Sequence, residues 1–154
     1  MRLTLSGTLA IVASASFAVT LTTDAATAQN GGTLTDCEQT VNYTLTPPAS
    51  DVPPNVRAFS GIWSGKWEGH LCSVLVVESV KSDGTAALLY INGSVGGQYA
   101  VKAGNARFSA TIVGNKLTSK GRTLTWEFVL QSPTQLSATR TGPGYSHSAT
   151  YTRR

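Results

Sequence analysis

Apolar and polar residues alternate along short runs from residue 59 to the C terminus, and this period of two is typical of β-strands with one buried face. The clearest run, TLTWEFVLQ, sets Trp126, Phe128 and Leu130 on one side. Turn residues separate the runs at spacings of about 8 to 12 residues, and no run follows a helical period. The pattern predicts strands at 61–68, 72–80, 85–92, 98–103, 106–113, 116–119, 123–131, 135–141 and 146–152.

Short connections rich in Gly, Asn or Asp join these runs, such as Asp83-Gly84 and Gly114-Asn115. These residues adopt the positive backbone angles of tight hairpin turns, so consecutive strands are expected to pair antiparallel. We therefore predict an all-β fold, a single antiparallel up-and-down β-barrel of about eight strands, or nine if 116–119 stands alone.

The stretch FSGIWSGKWEG holds two of the three tryptophans of the chain, each with a glycine two positions before it. On a strand, Trp63, Gly65 and Trp67 point to one side while polar residues point to the other. A glycine on the same face leaves room for each indole and lets the strand bend as barrel closure requires. Both indoles are expected inside the barrel, with Trp63 closing one end.

Residues 29–58 precede the barrel and hold four of the six prolines. Paired prolines favour an extended spacer and cannot join a central sheet. We predict that this proline-rich N-terminal arm is extended and lies outside the core of the barrel domain, residues 59–154. The run CSVLVVESV is apolar on both faces, which is expected if the arm or another strand covers its outer side.

Residues 1–28 combine a cation at Arg2, an apolar run to about Leu21 and the sequence Ala26-Thr27-Ala28, a pattern typical of a secretory signal peptide. Serines and threonines dilute the apolar run, which argues against a retained membrane anchor. Cleavage leaves 154 − 28 = 126 residues, enough for one domain with its own core. We expect a bacterial protein that is periplasmic or secreted, with no membrane insertion after cleavage.

Charge and cysteine content narrow the possible partners. The cations are scattered, and no basic stripe emerges, so nucleic acid is not expected as a partner.

Cys37 and Cys72 are the only two cysteines, and an even count in an oxidising compartment favours a disulfide. The alternative is a metal site, because His70 and Cys72 share one side of a strand, but His147 is the only other histidine and structural zinc needs four ligands. No metal is expected.

Enzymatic signatures are mostly absent from the sequence. The nucleophile elbow, the P-loop and the zinc-protease helix motif do not occur. His147 lies between two serines, but no acid is close to it in sequence to orient it. Glu68, Glu78 and Glu127 belong to different predicted strands, so the sequence does not show whether two carboxylates meet. We expect no catalytic residues, no cofactor and no enzymatic activity.

Gly61-Ile62-Trp63 at the start of a one-way antiparallel meander, with Arg153 just past the last predicted strand, resembles the calycin superfamily, the lipocalin and avidin-like barrels. The resemblance implies that the guanidinium of Arg153 packs over the indole of Trp63 and closes the barrel floor. Arg140, in the sequence SATRTG, is a second candidate for this role.

An eight-stranded barrel is either filled by its side chains or holds one small ligand. Aromatic side chains would occupy most of the interior, so a filled barrel is the default. If a pocket exists, we expect the following residues to line it: Trp63, Trp67, Tyr90, Tyr99, Trp126 and Arg140.

Three functions fit these observations. The resemblance and the aromatic strands favour an exported, non-enzymatic protein that binds a small apolar or glycan ligand. Small periplasmic inhibitors of metalloproteases are also calycin-like barrels, begin with a similar SG-x-W strand and insert an N-terminal arm into the protease, so an exported protein is the alternative partner. A third hypothesis is an accessory domain of a hydrolase system, because similar G-x-W-x-G-x-W barrels resemble appendages of bacterial hydrolases.

Overall fold

Ten strands and one short helix make up the chain in a computed structural model that describes residues 30–97 and 100–154. Two strands and the helix precede the barrel: β1 Asn30–Asp36, β2 Gln39–Leu45 and α1 Pro54–Arg57. Eight further strands follow: β3 Gly61–Trp67, β4 Leu71–Val80, β5 Thr85–Asn92, β6 Gly104–Val113, β7 Lys116–Lys120, β8 Thr125–Ser132, β9 Gln135–Gly142 and β10 Tyr145–Arg153. No helix among the described residues is both long and apolar enough to cross a membrane.

Strands β3 to β10 form a closed barrel in which each strand pairs antiparallel with the next. The last strand returns to the first: Tyr151 lies opposite Gly65, and Arg153 lies opposite Trp63. Closure leaves no unpaired edge between first and last strands, which removes a site for uncontrolled strand addition. The predicted all-β, eight-stranded up-and-down barrel is confirmed.

Two strand predictions differ from the structure. Residues 100–103 belong to the connection between β5 and β6, where Val101 forms an isolated bridge with Val95, so the predicted strand 98–103 is wrong for them. Gln98 and Tyr99 lie outside the described residues. The run 116–119 stands alone as β7 and supplies the eighth barrel strand.

The barrel interior is apolar and is occupied by buried side chains. Trp63 and Trp67 are 0% and 1% exposed, which places both indoles inside, as the alternation predicts. Strands β4 to β10 each contribute further buried residues to this interior cluster, including Leu75, Val77, Leu88, Ile112, Leu117, Phe128, Leu136 and Tyr151. Burial of so much apolar surface is the main force that holds the barrel together.

Strands β1 and β2 form a hairpin that packs against the outer face of β4 and β5. A second apolar cluster lies between them, with Leu34 of the hairpin against Val74 and Val76 of the wall. This explains why β4 is apolar on both faces: one face lines the barrel and the other lies under the hairpin. Cys37 and Cys72 form the predicted disulfide, which joins the hairpin to β4.

A bulge after Val77 changes the facing of the residues that follow in β4. Alternation alone would place Glu78 and Val80 on one side, but Val80 joins the interior cluster. The Glu78 carboxylate instead accepts hydrogen bonds from Arg107, at 3.0 and 3.1 Å, and from the Thr44 backbone N–H, at 3.1 Å. The bulge therefore turns Val80 inward, while Glu78 stays on the outer side with Val74 and Val76 and fastens the hairpin to the wall.

The remainder of the N-terminal arm crosses one end of the barrel. Val52 and Val56 are buried and belong to the interior cluster, so the prediction that the arm lies outside the core is wrong for this part. Helix α1 begins at Pro54, a first-turn position that proline tolerates because its missing N–H would have no helical partner. The helix forms the floor against which the Trp63 end of the barrel is packed.

Candidate functional site

Arg153 and Trp63 close the barrel floor. The guanidinium carbon of Arg153 lies 4.0 Å from the centre of the Trp63 ring, and Trp63 donates its Nε1 hydrogen to the Phe59 carbonyl at 2.9 Å. Arg153 also donates to the carbonyl oxygens of Ala58 (2.5 Å), Ser60 (2.7 Å) and Pro133 (2.8 Å). Burial lowers the pKa of the Arg153 guanidinium. Of the two candidate arginines, the structure places Arg153 over Trp63 and places Arg140 over Trp67.

Two glycines of β3 make close approaches possible, although not in the way that the sequence indicated. A Cβ added to Gly61, whose φ is +124°, would lie 2.8 Å from the Arg153 guanidinium. A Cβ at Gly65 would lie 2.7 Å from the Thr150 carbonyl oxygen and 2.8 Å from the Tyr151 ring. The space beside each glycine is therefore taken by a residue of β10, and the indoles do not need it.

Aromatic rings fill the middle of the barrel. Trp67 packs edge-on against Phe128 and Tyr151, with ring centres 6.4 and 5.9 Å apart. Trp126 stacks between Tyr90 and Phe108, at 5.3 and 4.6 Å. Such contacts hold the rings at defined angles. This filled middle layer separates the floor from the opposite end of the barrel.

Hydroxyl groups are buried within this aromatic layer. Trp67 donates its Nε1 hydrogen to the Tyr90 hydroxyl at 2.8 Å, and the Tyr151 and Ser73 hydroxyls lie 2.6 Å apart. Burial raises the pKa of Tyr90, and it raises the pKa of Tyr151 well above its ordinary value of 10.0. Both phenols are therefore neutral at physiological pH and serve as hydrogen-bonding groups.

Above the aromatic layer, at the end of the barrel away from α1, lies a cleft of about 940 Å³. We call it the rim cleft. Its walls come from the β3–β4 turn, the β5–β6 connection and the β9–β10 hairpin. Its lining comprises Trp67, Glu68, His70, Leu71, Val95, Gly96, Ala100, Val101, Arg140, Gly144, Tyr145 and His147.

Ionisable side chains meet at one side of the rim cleft. Glu68 accepts a hydrogen bond from the Ser148 backbone N–H at 2.6 Å, and its carboxylate lies 3.6 Å from Nδ1 of His147. The Glu68 carbonyl oxygen lies 2.9 Å from Nδ1 of His70. The acid that His147 lacks in its own sequence neighbourhood is thus supplied by the β3–β4 turn. Tyr145, 42% exposed, packs near His147 with ring centres 5.2 Å apart.

Arg140 lies at the bottom of the rim cleft, with its guanidinium carbon 5.3 Å from the centre of the Trp67 ring. Its Nε atom is buried without a hydrogen-bond partner in the part of the chain that the structure describes, and so is Nε1 of Trp126. The two residues are paired directly across β8 and β9. Among the described residues, Arg140 forms no ion pair with a carboxylate.

The structure brings together only part of the predicted ligand-binding set. Trp67 and Arg140 line the rim cleft, Tyr90 and Trp126 lie in the layer behind them, and Trp63 lies apart at the floor. Tyr99 lies outside the described residues.

Sequence reasoning did not include Glu68, Tyr145 and His147 in the site, although they line the cleft. They lie in or beside the turns at one end of an up-and-down meander, where alternate turns must meet. That topological rule would have indicated them.

Among residues 30–97 and 100–154, one group has the spacing of a metal site, namely Asp36 with Cys37 and Cys72. Both sulfurs are joined in the disulfide, and thiolate is the form of cysteine that binds metal. The cluster is therefore structural.

Comparison with protein-family models, with curated proteins and with solved structures finds no match for this chain.

Proposed function

We propose that this chain is an exported, non-enzymatic binding protein of calycin-like architecture that holds a small ligand in the rim cleft. One observation carries the proposal: a cleft whose bottom is an indole with a guanidinium over it, closed below by a packed aromatic layer. Binding sites for small molecules are typically concave, largely apolar and furnished with a few directed polar groups.

The composition of the rim cleft supports a small apolar ligand. Leu71, Val95 and Val101 supply aliphatic surface, and Tyr145 adds an exposed ring at the mouth. The volume of about 940 Å³ is within the usual range of 300 to 1,000 Å³ for such sites. A sugar ring stacked on Tyr145 is the glycan version of the same proposal.

Two features support export. The first 28 residues have the pattern of a secretory signal peptide. The Cys37–Cys72 disulfide is of the kind that forms and persists in oxidising compartments. Together they favour the bacterial periplasm or the medium as the location.

We prefer a small ligand to the insertion of an arm into a protease. In the described part of the arm, β1 and β2 are packed on the barrel wall, joined to β4 by the disulfide, and Val52 and Val56 are buried in the core. Withdrawing this segment would expose two apolar clusters. Inserting the arm into a partner would require this segment to leave the barrel, and exposing the two clusters to water would cost much of the stability of the fold.

Single-tryptophan variants test the proposal. The chain has three tryptophans, so a Trp63→Phe/Trp126→Phe variant reports only on Trp67, which contacts the rim cleft. The matched Trp67→Phe/Trp126→Phe variant reports only on Trp63 at the floor, and its fluorescence is compared only for ligands that calorimetry shows it still binds. We expect saturable fluorescence changes with at least one compound of a panel of alkyl, aromatic and sugar ligands in the first variant and none in the second. Calorimetry on the unmodified protein supplies the affinity.

The proposal fails if no panel member binds the unmodified protein. It also fails if the floor reporter responds while the cleft reporter does not.

A further inference from the structure

We propose that the ligand of the rim cleft is a small carboxylic acid, whose carboxylate is bound by Arg140 and whose apolar body lies toward the mouth. This inference rests on the proposed function and specifies its ligand class.

The first argument is the charge of Arg140. Its side chain is partly buried at the bottom of the cleft, yet no carboxylate among the described residues lies within ion-pair distance. Glu68 lines the same cleft, but its carboxylate is engaged by the Ser148 N–H and lies beside His147. A partly desolvated guanidinium is stabilised by an anion, which the described residues do not provide here.

The second argument is the pair of buried donors. Among residues 30–97 and 100–154, no group accepts a hydrogen bond from Nε of Arg140 or Nε1 of Trp126, and the two residues occupy paired positions of β8 and β9. A buried donor without an acceptor costs about 1 to 3 kcal/mol, so native structures seldom contain two together without a partner. Both groups donate, and neither can accept. The partner that would satisfy them is therefore an acceptor; Arg140 lines the rim cleft, whereas Trp126 lies in the aromatic layer behind it.

The third argument is rigidity. Trp126 is held by stacking on Tyr90 and Phe108, and Trp67 is held by its hydrogen bond to Tyr90. The Trp67 ring supports the Arg140 guanidinium through a cation–π contact. A guanidinium supported on its face still presents its edge, which is the part that binds a carboxylate in a bidentate manner. These side chains are already held in place, so binding a ligand costs little of their conformational entropy.

The orientation of the ligand follows from the positions of these groups. Arg140 and Trp67 are at the bottom of the cleft, whereas Val95 and Val101 belong to the connection that overhangs it. An acid would enter with its carboxylate first, and its hydrocarbon would contact the aliphatic side chains near the mouth.

The test uses phenylalkanoic acids, from phenylacetate to 8-phenyloctanoate, and the primary amide of each acid as a neutral isostere. Binding to the purified unmodified protein is measured by calorimetry at pH 7. We expect at least one acid to bind tenfold or more tightly than its amide.

Variants then locate the effect. Arg140→Met is expected to bring the ratio of acid to amide affinity close to one, and Arg140→Lys to retain part of it, because lysine keeps the charge but lacks the planar fork. Lys66→Met is the matched control, since it removes the same charge from an exposed residue on the outer face of β3. It should leave the ratio unchanged.

The outcomes separate this inference from the proposed function. If an amide binds as tightly as its acid, the inference is wrong but a ligand cleft stands. If no acid or amide binds while a neutral alcohol or sugar does, the carboxylic-acid inference is also wrong and the ligand cleft also stands. If nothing binds at all, both fail. A preference for acids that Arg140→Met and Lys66→Met reduce equally would assign the effect to overall charge and would overturn the role of Arg140.

Discussion

Replacing Arg153 by methionine tests how the barrel floor is held together. Methionine keeps much of the aliphatic length but removes the guanidinium that lies 4.0 Å over Trp63 and donates to three carbonyl oxygens. Those carbonyls belong to the segment that leads into β3 and to the β8–β9 turn. The substitution therefore removes the side-chain contacts that join the end of β10 to these two segments, while the backbone pairing of β10 with β3 remains.

The magnitude can be worked out from these contacts. A hydrogen bond from a charged donor contributes about 1.5 kcal/mol at the low end of its range. Three would sum to about 4.5 kcal/mol, of which roughly half returns because the carbonyls at this end can be resolvated. The cation–π contact adds about 0.5 to 1 kcal/mol at a partly exposed site. We expect Arg153→Met to lower the free energy of unfolding by about 3 kcal/mol.

Urea unfolding followed by tryptophan fluorescence and circular dichroism measures this loss. A decrease of about 3 kcal/mol corresponds to a midpoint lower by about 1.5 to 2 M at an ordinary urea dependence, with an unchanged slope. Arg154→Met is the matched control, because Arg154 pairs with Asp36 and Ser64 on the exposed side of the same strand end. An exposed ion pair contributes about 0 to 1 kcal/mol. Equal losses in the two variants would refute the reasoning.

Three further changes test other parts of the fold. Gly65→Ala should lower the free energy of unfolding by about 2 kcal/mol or more, because the added Cβ would lie 2.7 Å from a carbonyl oxygen of β10 and overpack the site. Gly104→Ala is the control: an added Cβ there has nothing within 4 Å, so the same urea assay should show almost no change. Because burial raises the pKa of Tyr151, the folded protein keeps this phenol protonated above pH 10.0 while the unfolded chain ionises. Stability should therefore fall as the pH rises beyond that value, by up to about 1.4 kcal/mol per pH unit for this group, and less steeply in Tyr151→Phe; equal slopes would contradict the assignment. Replacing Cys37 and Cys72 by alanine should cost about 4 kcal/mol by the loop-entropy estimate for a separation of 35 residues, and a urea midpoint equal to that of the oxidised protein would show that the bond does not stabilise the fold.

The barrel was predictable because strand alternation is a local property. Trp126, Phe128 and Leu130 point inward because successive side chains of a strand alternate. Turn residues such as Asp83-Gly84 mark where the chain reverses, so consecutive pairing follows. The predicted strand 98–103 was wrong for residues 100–103 because a short apolar run beside turn residues has the same pattern in a strand as in a looped connection.

The candidate site was only partly predictable. Trp67 and Arg140 were among the residues expected to line a pocket, and both line the rim cleft. Trp63 has the same pattern but lies at the floor, because alternation gives the face of a residue and not its height in the barrel. The position of each strand along the barrel axis depends on the register between strands, which the sequence does not show directly.

The sequence by itself determined the fold class, the inward positions of the indoles and the pairing of Cys37 with Cys72, because each depends on a short pattern or a small count. Only the tertiary structure decided that the hairpin covers β4 and that Glu68 meets His147. It also decided that Arg140 and Trp126, paired across β8 and β9, each hold a buried donor without an acceptor among the described residues. These contacts join residues far apart in the chain, and barrel closure brings them together at distances that no local pattern specifies.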